Sequence, residues 1–148
     1  MNVPDAIDQA ILEQLQTDGR LSNVDLADRV GLSPSACLRR VRALEQSGVI
    51  YGYRALVDRR LLGRSTSVFV EITLNSQEES VLDTFEEAVA SHPAVISCHL
   101  MAGDADYILH VACADVNDYE QLHRTHLAQL PGVARIRSSF ALRTVVER

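Results

Sequence analysis

The hydrophobic period of the chain changes part-way along. In the first third, apolar residues return every three or four positions, the spacing of helices with one buried face. Ile7, Ile11, Leu12 and Leu15 predict a helix over about 5–17, and Leu26, Ala27 and Val30 a second over about 22–30. Cys37, Leu38, Val41 and Leu44 predict a third over about 34–46. The residues at the helix ends agree with the period. Ser22 stands as N-cap of the second helix, with Asp25 near its third position. Ser33-Pro34 opens the third: the serine oxygen can accept from an orphan amide, and proline at the first helical position loses nothing. Gly31 leaves a turn of about three residues, and Gly48 supplies a left-handed cap after the third helix.

Val49 to Val57 is rich in β-branched and aromatic residues and predicts a strand. Asp58 to Ser65 reads as a polar joint. From Ser67 the period becomes two, with Val68, Val70, Ile72 and Leu74 on one side. Residues 78–91 predict a helix buried through Val81, Leu82, Phe85, Ala88 and Val89. Strands follow at 95–101 and 107–113. A helix over 116–130, capped by Asp115, carries Val116, Tyr119, Leu122, Leu127 and Leu130 inward. A last strand over 133–146 has Ile136, Phe140 and Leu142 on one side. The order β-α-β-β-α-β is ferredoxin-like. The fold class expected is α+β: an N-terminal winged-type helix-turn-helix domain of three helices (1–50), a strand and linker (51–64), and a C-terminal ferredoxin-like domain (65–148).

Helical spacing turns Arg39, Ala43 and Gln46 away from the buried stripe of the third helix, with Ser35, Ala36 and Arg42 beside them and Arg40 on the other edge. A face of small residues studded with arginines is either a solvated surface or one that enters a DNA groove, where arginine fits guanine edges and phosphates. The two preceding helices and the short turn favour double-stranded DNA. Ser33, Ser35, Ala36, Arg39, Arg40 and Arg42 are the expected contacts, with Arg39 central and Arg40 and Arg42 on phosphate. The overall charge of −6 is unevenly spread. Residues 33–60 carry six arginines against Glu45 and Asp58, whereas residues 65–148 carry five against twelve acids. The basic charge is local, and the acidic half should face away from DNA.

A sheet with helices on one face leaves the other to be covered. Pairing Ala102 with Tyr107 across the hairpin sets His99 opposite His110 and Met101 opposite Ile108. These residues, with Phe69, Glu71 and Arg137, then form a mixed apolar and charged face suited to subunit association. Cys37, Cys98 and Cys113 lie unpaired in apolar segments, as packed thiols do. His99, His110, His123 and His126 lack the spacing of a metal site, and no nucleophile elbow or phosphate loop is present. No metal, cofactor or catalytic residue is expected. The N-terminus lacks a secretory pattern and no apolar run is long enough for a membrane span, so a cytoplasmic protein without a membrane partner is expected. Gly103-Asp104-Ala105-Asp106 has two readings. It is a hairpin turn, with Gly103 at positive φ and the aspartates capping amides, or it is a site for a zwitterion.

The sequence resembles the Lrp/AsnC family of leucine-responsive and related feast/famine transcriptional regulators. The resemblance rests on LSPSACLRRVRALEQSGVIYGYRALVD in the first half, and on CHLMAGDADYIL and LPGV in the second. It implies a C-terminal domain that senses an amino acid and dimerises through its sheet, with dimers assembled to octamers or larger. It also implies effector contacts at Gly103, Asp104 and Asp106, with Met101 and Ala102 lining the mouth of the site, and hydroxyl positions at Ser138 and Ser139. Ala102 stands where many members carry threonine or serine. A regulator responsive to an amino acid is therefore expected. An architectural DNA-coating protein and a metabolite-binding enzyme subunit are the alternatives.

Overall fold

A computed structural model describes residues 3–146. The chain divides into two compact units between Val57 and Asp58.

The first unit holds α1 (Ala6–Thr17), α2 (Asn23–Arg29) and α3 (Pro34–Gln46). Each begins where a side-chain oxygen meets otherwise orphaned amides. Asp5 accepts from the N–H groups of Ile7 and Asp8, and Asp8 accepts in return from the N–H of Asp5. Ser22 and Ser33 cap α2 and α3 through the N–H groups of Asp25 and Ala36. Gly31, at φ +69°, closes α2, with the N–H of Leu32 donating to the carbonyl of Ala27 at 2.9 Å. The core contains Ile11, Leu26, Ala27, Cys37 and Leu44, with Leu12, Leu15 and Val41 half-buried around it. Ile7 and Leu38, expected inside, lie exposed at its rim, because short helices cover only part of each other's apolar stripe.

The expected strand over Val49–Val57 is not formed. Val49 and Ile50 pack on the helical core, but residues 51–57 after them are exposed and have no ladder partner among the described residues. Strand propensity without a second strand leaves the backbone unpaired.

The second unit runs β1 (Thr66–Leu74), α4 (Glu79–Ala90), β2 (Val95–Leu100), β3 (Tyr107–Cys113), α5 (Val116–Thr125), a 3₁₀ turn (Leu127–Gln129) and β4 (Val133–Phe140). Its antiparallel sheet has the order β2-β3-β1-β4, with the two edges taken by β2 and β4. Val68, Val70, Ile72 and Leu74 of β1 meet Phe85 and Val89 of α4, Tyr119 and Leu122 of α5, and Tyr107, Leu109 and Val111 of β3 in one core.

Three expectations are corrected here. The helix expected over 116–130 breaks at His126 and continues only as a 3₁₀ turn, while Val116 is exposed at its start. The last strand stops at Phe140, paired with Val68; the Ala141 N–H still donates to the Ser67 carbonyl, but Leu142 is fully exposed. The hairpin register is two residues from that expected: Leu100 pairs with Tyr107, His99 with Ile108 and Ser97 with His110. A shift of two preserves which face each side chain takes.

Candidate functional site

On α3, Arg39 and Arg42 are exposed, as are Ser33 and Ser35, whereas Ala36 is half-buried. Ser33 is occupied as the cap, and its hydroxyl lies 3.3 Å from that of Ser35. The Asn23 side-chain amide donates to the Pro34 carbonyl at 2.7 Å, tying α2 to the first turn of α3.

Arg40 departs from the sequence expectation. Its guanidinium donates to Asp5 at 2.9 Å and Asp8 at 2.8 Å, the two acids of the α1 capping box. Hydrogen bonding from the Asp8 N–H and from Arg40 holds the Asp5 carboxyl below its ordinary pKa. The same acids hold the guanidinium in its charged form. Arg40 therefore joins α1 to α3 and leaves the exposed arginine face of α3 to Arg39 and Arg42.

In the second unit, the sheet face turned away from the helices carries Phe69, Glu71 and Thr73 of β1, His99 of β2, Ile108 and His110 of β3, and Arg135 and Arg137 of β4. Phe69 stacks on His110, with ring centroids 4.6 Å apart. Glu71 and Arg137, register partners, form an ion pair.

The segment between β2 and β3 is held by Asp106. Its carboxylate is buried and accepts from the Leu74 N–H at 2.7 Å and the Gln77 side-chain amide at 2.8 Å. Its N–H donates to the Ile72 carbonyl, and its carbonyl accepts from the Met101 N–H. Both carboxylate oxygens of Asp106 thus already accept from the protein, unlike the open carboxylate expected of an effector contact. Gly103 has no positive φ, so the expected turn geometry is also absent; the anchor at Asp106 shapes the loop instead.

Pinned in this way, the loop brings Asp104 and Ala105 beside the ends of β1 and β4. Together with Glu71, Thr73, Arg135 and Arg137 they line a cavity of about 320 Å³. Met101, Ala102 and Gly103 are exposed and outside this lining. Ser138 and Ser139 do not reach it. Ser138 faces the helices, bonded to the Tyr119 hydroxyl, and Ser139 lies opposite Phe69 further along the sheet. Thr73 and Arg135 were missed by the sequence reading, although strict alternation from Glu71 and Arg137 puts each on this face.

No group of three or more metal-ligating side chains is gathered among the described residues. His123 meets the Tyr119 ring edge-on, and His126 packs against His92, with ring centroids 4.0 Å apart. Burial pushes the thiols of Cys98 and Cys113 up to about 11, which keeps them protonated at neutral pH. No helix among the described residues is long and apolar enough to cross a membrane.

Residues 4–51 match the winged helix-turn-helix DNA-binding model, and residues 67–148 match the Lrp/AsnC ligand binding domain. The chain belongs to the Lrp/AsnC family. It is 46% identical to the leucine-responsive regulatory protein of Escherichia coli K12, over 95% of this chain and 86% of that protein. The Haemophilus influenzae leucine-responsive regulatory protein is 45% identical, over 95% and 85%. Among solved structures, a Neisseria meningitidis transcriptional regulator in complex with L-methionine superposes with a TM-score of 0.91 at 33% identity, covering 98% of this chain and 94% of that one. An AsnC family transcriptional regulator from Agrobacterium tumefaciens gives 0.91 at 34% identity, over 97% and 93%. The protein is thus a transcriptional regulator of the Lrp/AsnC family, with a DNA-binding helix-turn-helix and a ligand-binding domain.

Proposed function

We propose that this regulator reads DNA through α3 and takes an amino acid as its effector beside Asp104. The observation that carries the effector reading is the mixed-charge cavity beneath the loop held by Asp106, within the part that matches the ligand-binding model. A zwitterion needs an anion and a cation on facing walls, and the cavity offers both. The methionine bound to the Neisseria relative supports the same ligand class. Residues 1–50 serve DNA, with Arg39 at base edges, Arg42 on phosphate and Ser35 beside them. Residues 65–148 serve the effector and assembly.

The sheet face of Phe69, Glu71, His99, Ile108, His110 and Arg137, with Met101 at its edge, pairs two copies in this reading, and dimers assemble further to an octamer. Phe69 is 43% exposed, apolar surface that a second copy would cover. The protein works in the cytoplasm, as a regulator and not as an enzyme.

An effector regulates only by binding one assembly or DNA-bound state better than another. Replacing Asp104 with Ala should abolish the amino-acid response and leave effector-free DNA affinity near wild type. The wild-type response should be about 5–150-fold in operator affinity, the usual range of coupling. Operator binding and oligomer mass, measured for both proteins with and without each amino acid, test this. A variant that responds like wild type returns the loop to the role of a turn. A monomer in analytical ultracentrifugation at micromolar concentration overturns the assembly.

A further inference from the structure

A second cavity, of about 390 Å³, lies between α4 and the edge strand β2. It is on the helix side of the sheet, away from the face proposed to pair two copies. Cys98 and Leu100, in its lining, are register partners of Leu109 and Tyr107, whose side chains belong to the core. Its apolar walls include Val89 of α4 and Val95, Ile96 and Leu100 of β2. Leu100 is 60% exposed and Ile96 38%, so part of this wall is bare to solvent. The lining holds one carboxylate, that of Glu86, and no arginine, lysine or histidine. Glu86 is exposed, which puts the carboxylate at the mouth. One of its oxygens accepts from the Tyr107 hydroxyl at 2.7 Å, and the other accepts no hydrogen bond among the described residues. Tyr107 is buried with its ring against Phe85, so the carboxylate is held from the core. Glu86, Val89 and Ala90 also belong to the last turns of α4, which carry no basic residue.

We propose that this cavity binds a small apolar primary amine, its ammonium on the free oxygen of Glu86 and its aliphatic body against Val89, Val95 and Leu100. The volume is at the lower end of the range of about 300–1,000 Å³ that holds small molecules. Two features select a cation. The fixed carboxylate accepts a charge-assisted hydrogen bond from an ammonium, and the C-terminal end of α4 carries the negative pole of the helix, unneutralised by any basic side chain of its last turn. Cys98 adds no second charge: burial and the nearby Glu86 push its thiol up to about 11, which keeps it protonated. The apolar walls reward burial of an aliphatic body, which covers the exposed parts of Ile96 and Leu100. An α-amino acid with the same body would bring a carboxylate toward Glu86 and the helix end, with no cation to meet it. The cavity therefore takes the decarboxylated counterpart of an apolar amino acid and rejects its zwitterionic parent. In the cavity beside Asp104, arginines and acids stand together and both charges of a zwitterion can be met. The amine site is separate from that one and does not depend on the effector reading.

Titration of the full-length protein followed by methyl NMR tests the proposal, with isoamylamine, leucine and isoamyl alcohol as probes. The three share an aliphatic body and differ in the charges at its head. The amine should shift the methyl signals of Val89, Val95, Ile96 and Leu100. It should bind there about tenfold or more tighter than leucine or the alcohol, the measure of one charge-assisted hydrogen bond. Glu86→Gln keeps an acceptor for the Tyr107 hydroxyl at an exposed position, so it should fold normally and lose the preference for the amine. Asp104→Ala should bind the amine as wild type does. Leucine or the alcohol shifting the same signals with equal affinity overturns the proposal, as does a Glu86→Gln protein that still prefers the amine. Loss of the shifts in Asp104→Ala would put the amine in the other cavity and overturn it too. Signals unmoved at millimolar amine overturn it and leave the effector reading standing.

Discussion

The two surfaces proposed for function are assembled in opposite ways. On α3, Arg39 and Arg42 share one helix, so helical geometry alone sets their spacing and outward direction. In the cavity, Thr73, Asp104 and Arg135 come from two strands and a loop, and they meet only because β1 pairs with β4 while Asp106 fastens the loop to the end of β1. The helical surface should therefore tolerate local change and lose function one side chain at a time. The cavity should fail whenever its framework moves, even through residues that touch no ligand.

The largest effect tests the framework itself. Phe85 is fully buried, with its ring tilted against Tyr107 at 4.6 Å. Truncation to alanine should cost about 3–5 kcal/mol in urea denaturation of the second unit. Asp106→Ala comes next: it leaves the buried Leu74 N–H without its acceptor and should cost about 1–3 kcal/mol. It should also remove the effector response, whereas Asp104→Ala removes the response with thermal stability nearly unchanged. Equal stability for both variants would erase the distinction drawn between a structural and a ligand-facing carboxylate.

Arg39→Ala should weaken operator binding by roughly 1–3 kcal/mol and relax discrimination among operator variants. Arg42→Ala should weaken binding to all sequences alike and flatten the salt dependence by about one counterion. Arg40→Ala sharpens the contrast. It should lower the stability of the helical unit and leave the salt slope of DNA binding as in wild type, since its charge is spent on Asp5 and Asp8. A flattened slope for Arg40→Ala would return it to the phosphate contacts.

The smallest effects are those of pH. His126 is held below its ordinary pKa of 6.5, first by burial and then by the neighbouring His92. Its Nε2 is buried with no hydrogen-bond partner among the described residues. The unfolded chain thus takes up this proton before the folded one. The stability His126 allows is whole above about pH 6.5 and declines as pH falls through its lower folded value. Melting temperature followed from pH 7.5 to 5 should show this decline, and His126→Phe should flatten it. Asp5 follows the carboxylate rule, and its contribution is lost only as pH falls below the ordinary value of 3.8. The helical unit should therefore be indifferent to pH in the range where the other unit responds.

Caps and period made the helical unit legible. Ser22, Ser33 and Gly31 act within a few residues of where they stand, and they set the helix limits almost to the residue. Alternation likewise identified the buried side of β1 and part of the opposite sheet face, though not Thr73 and Arg135. What could not be read was pairing. Arg40 and Arg39 are adjacent in sequence and alike in chemistry, and only the approach of α1 separates a tie between helices from an exposed arginine. Asp104 and Asp106 differ in the same way. Two residues apart in one short loop, one faces the cavity, while the other is buried against the Leu74 N–H.

The sequence by itself determined the helices and the four sheet strands, their order, most of each buried face and the family, because each depends on periodicity and on contacts spanning a few residues. The tertiary structure decided the hairpin register, the end of β4 at Phe140, the unpaired state of the segment after Ile50, and the meeting of Thr73 with Arg135. Each of these is a choice of partner between distant segments. Such a choice is made by the fit of whole surfaces and by the need to satisfy every buried polar group, as the four hydrogen bonds of Asp106 show. No single residue carries that information in its own neighbourhood.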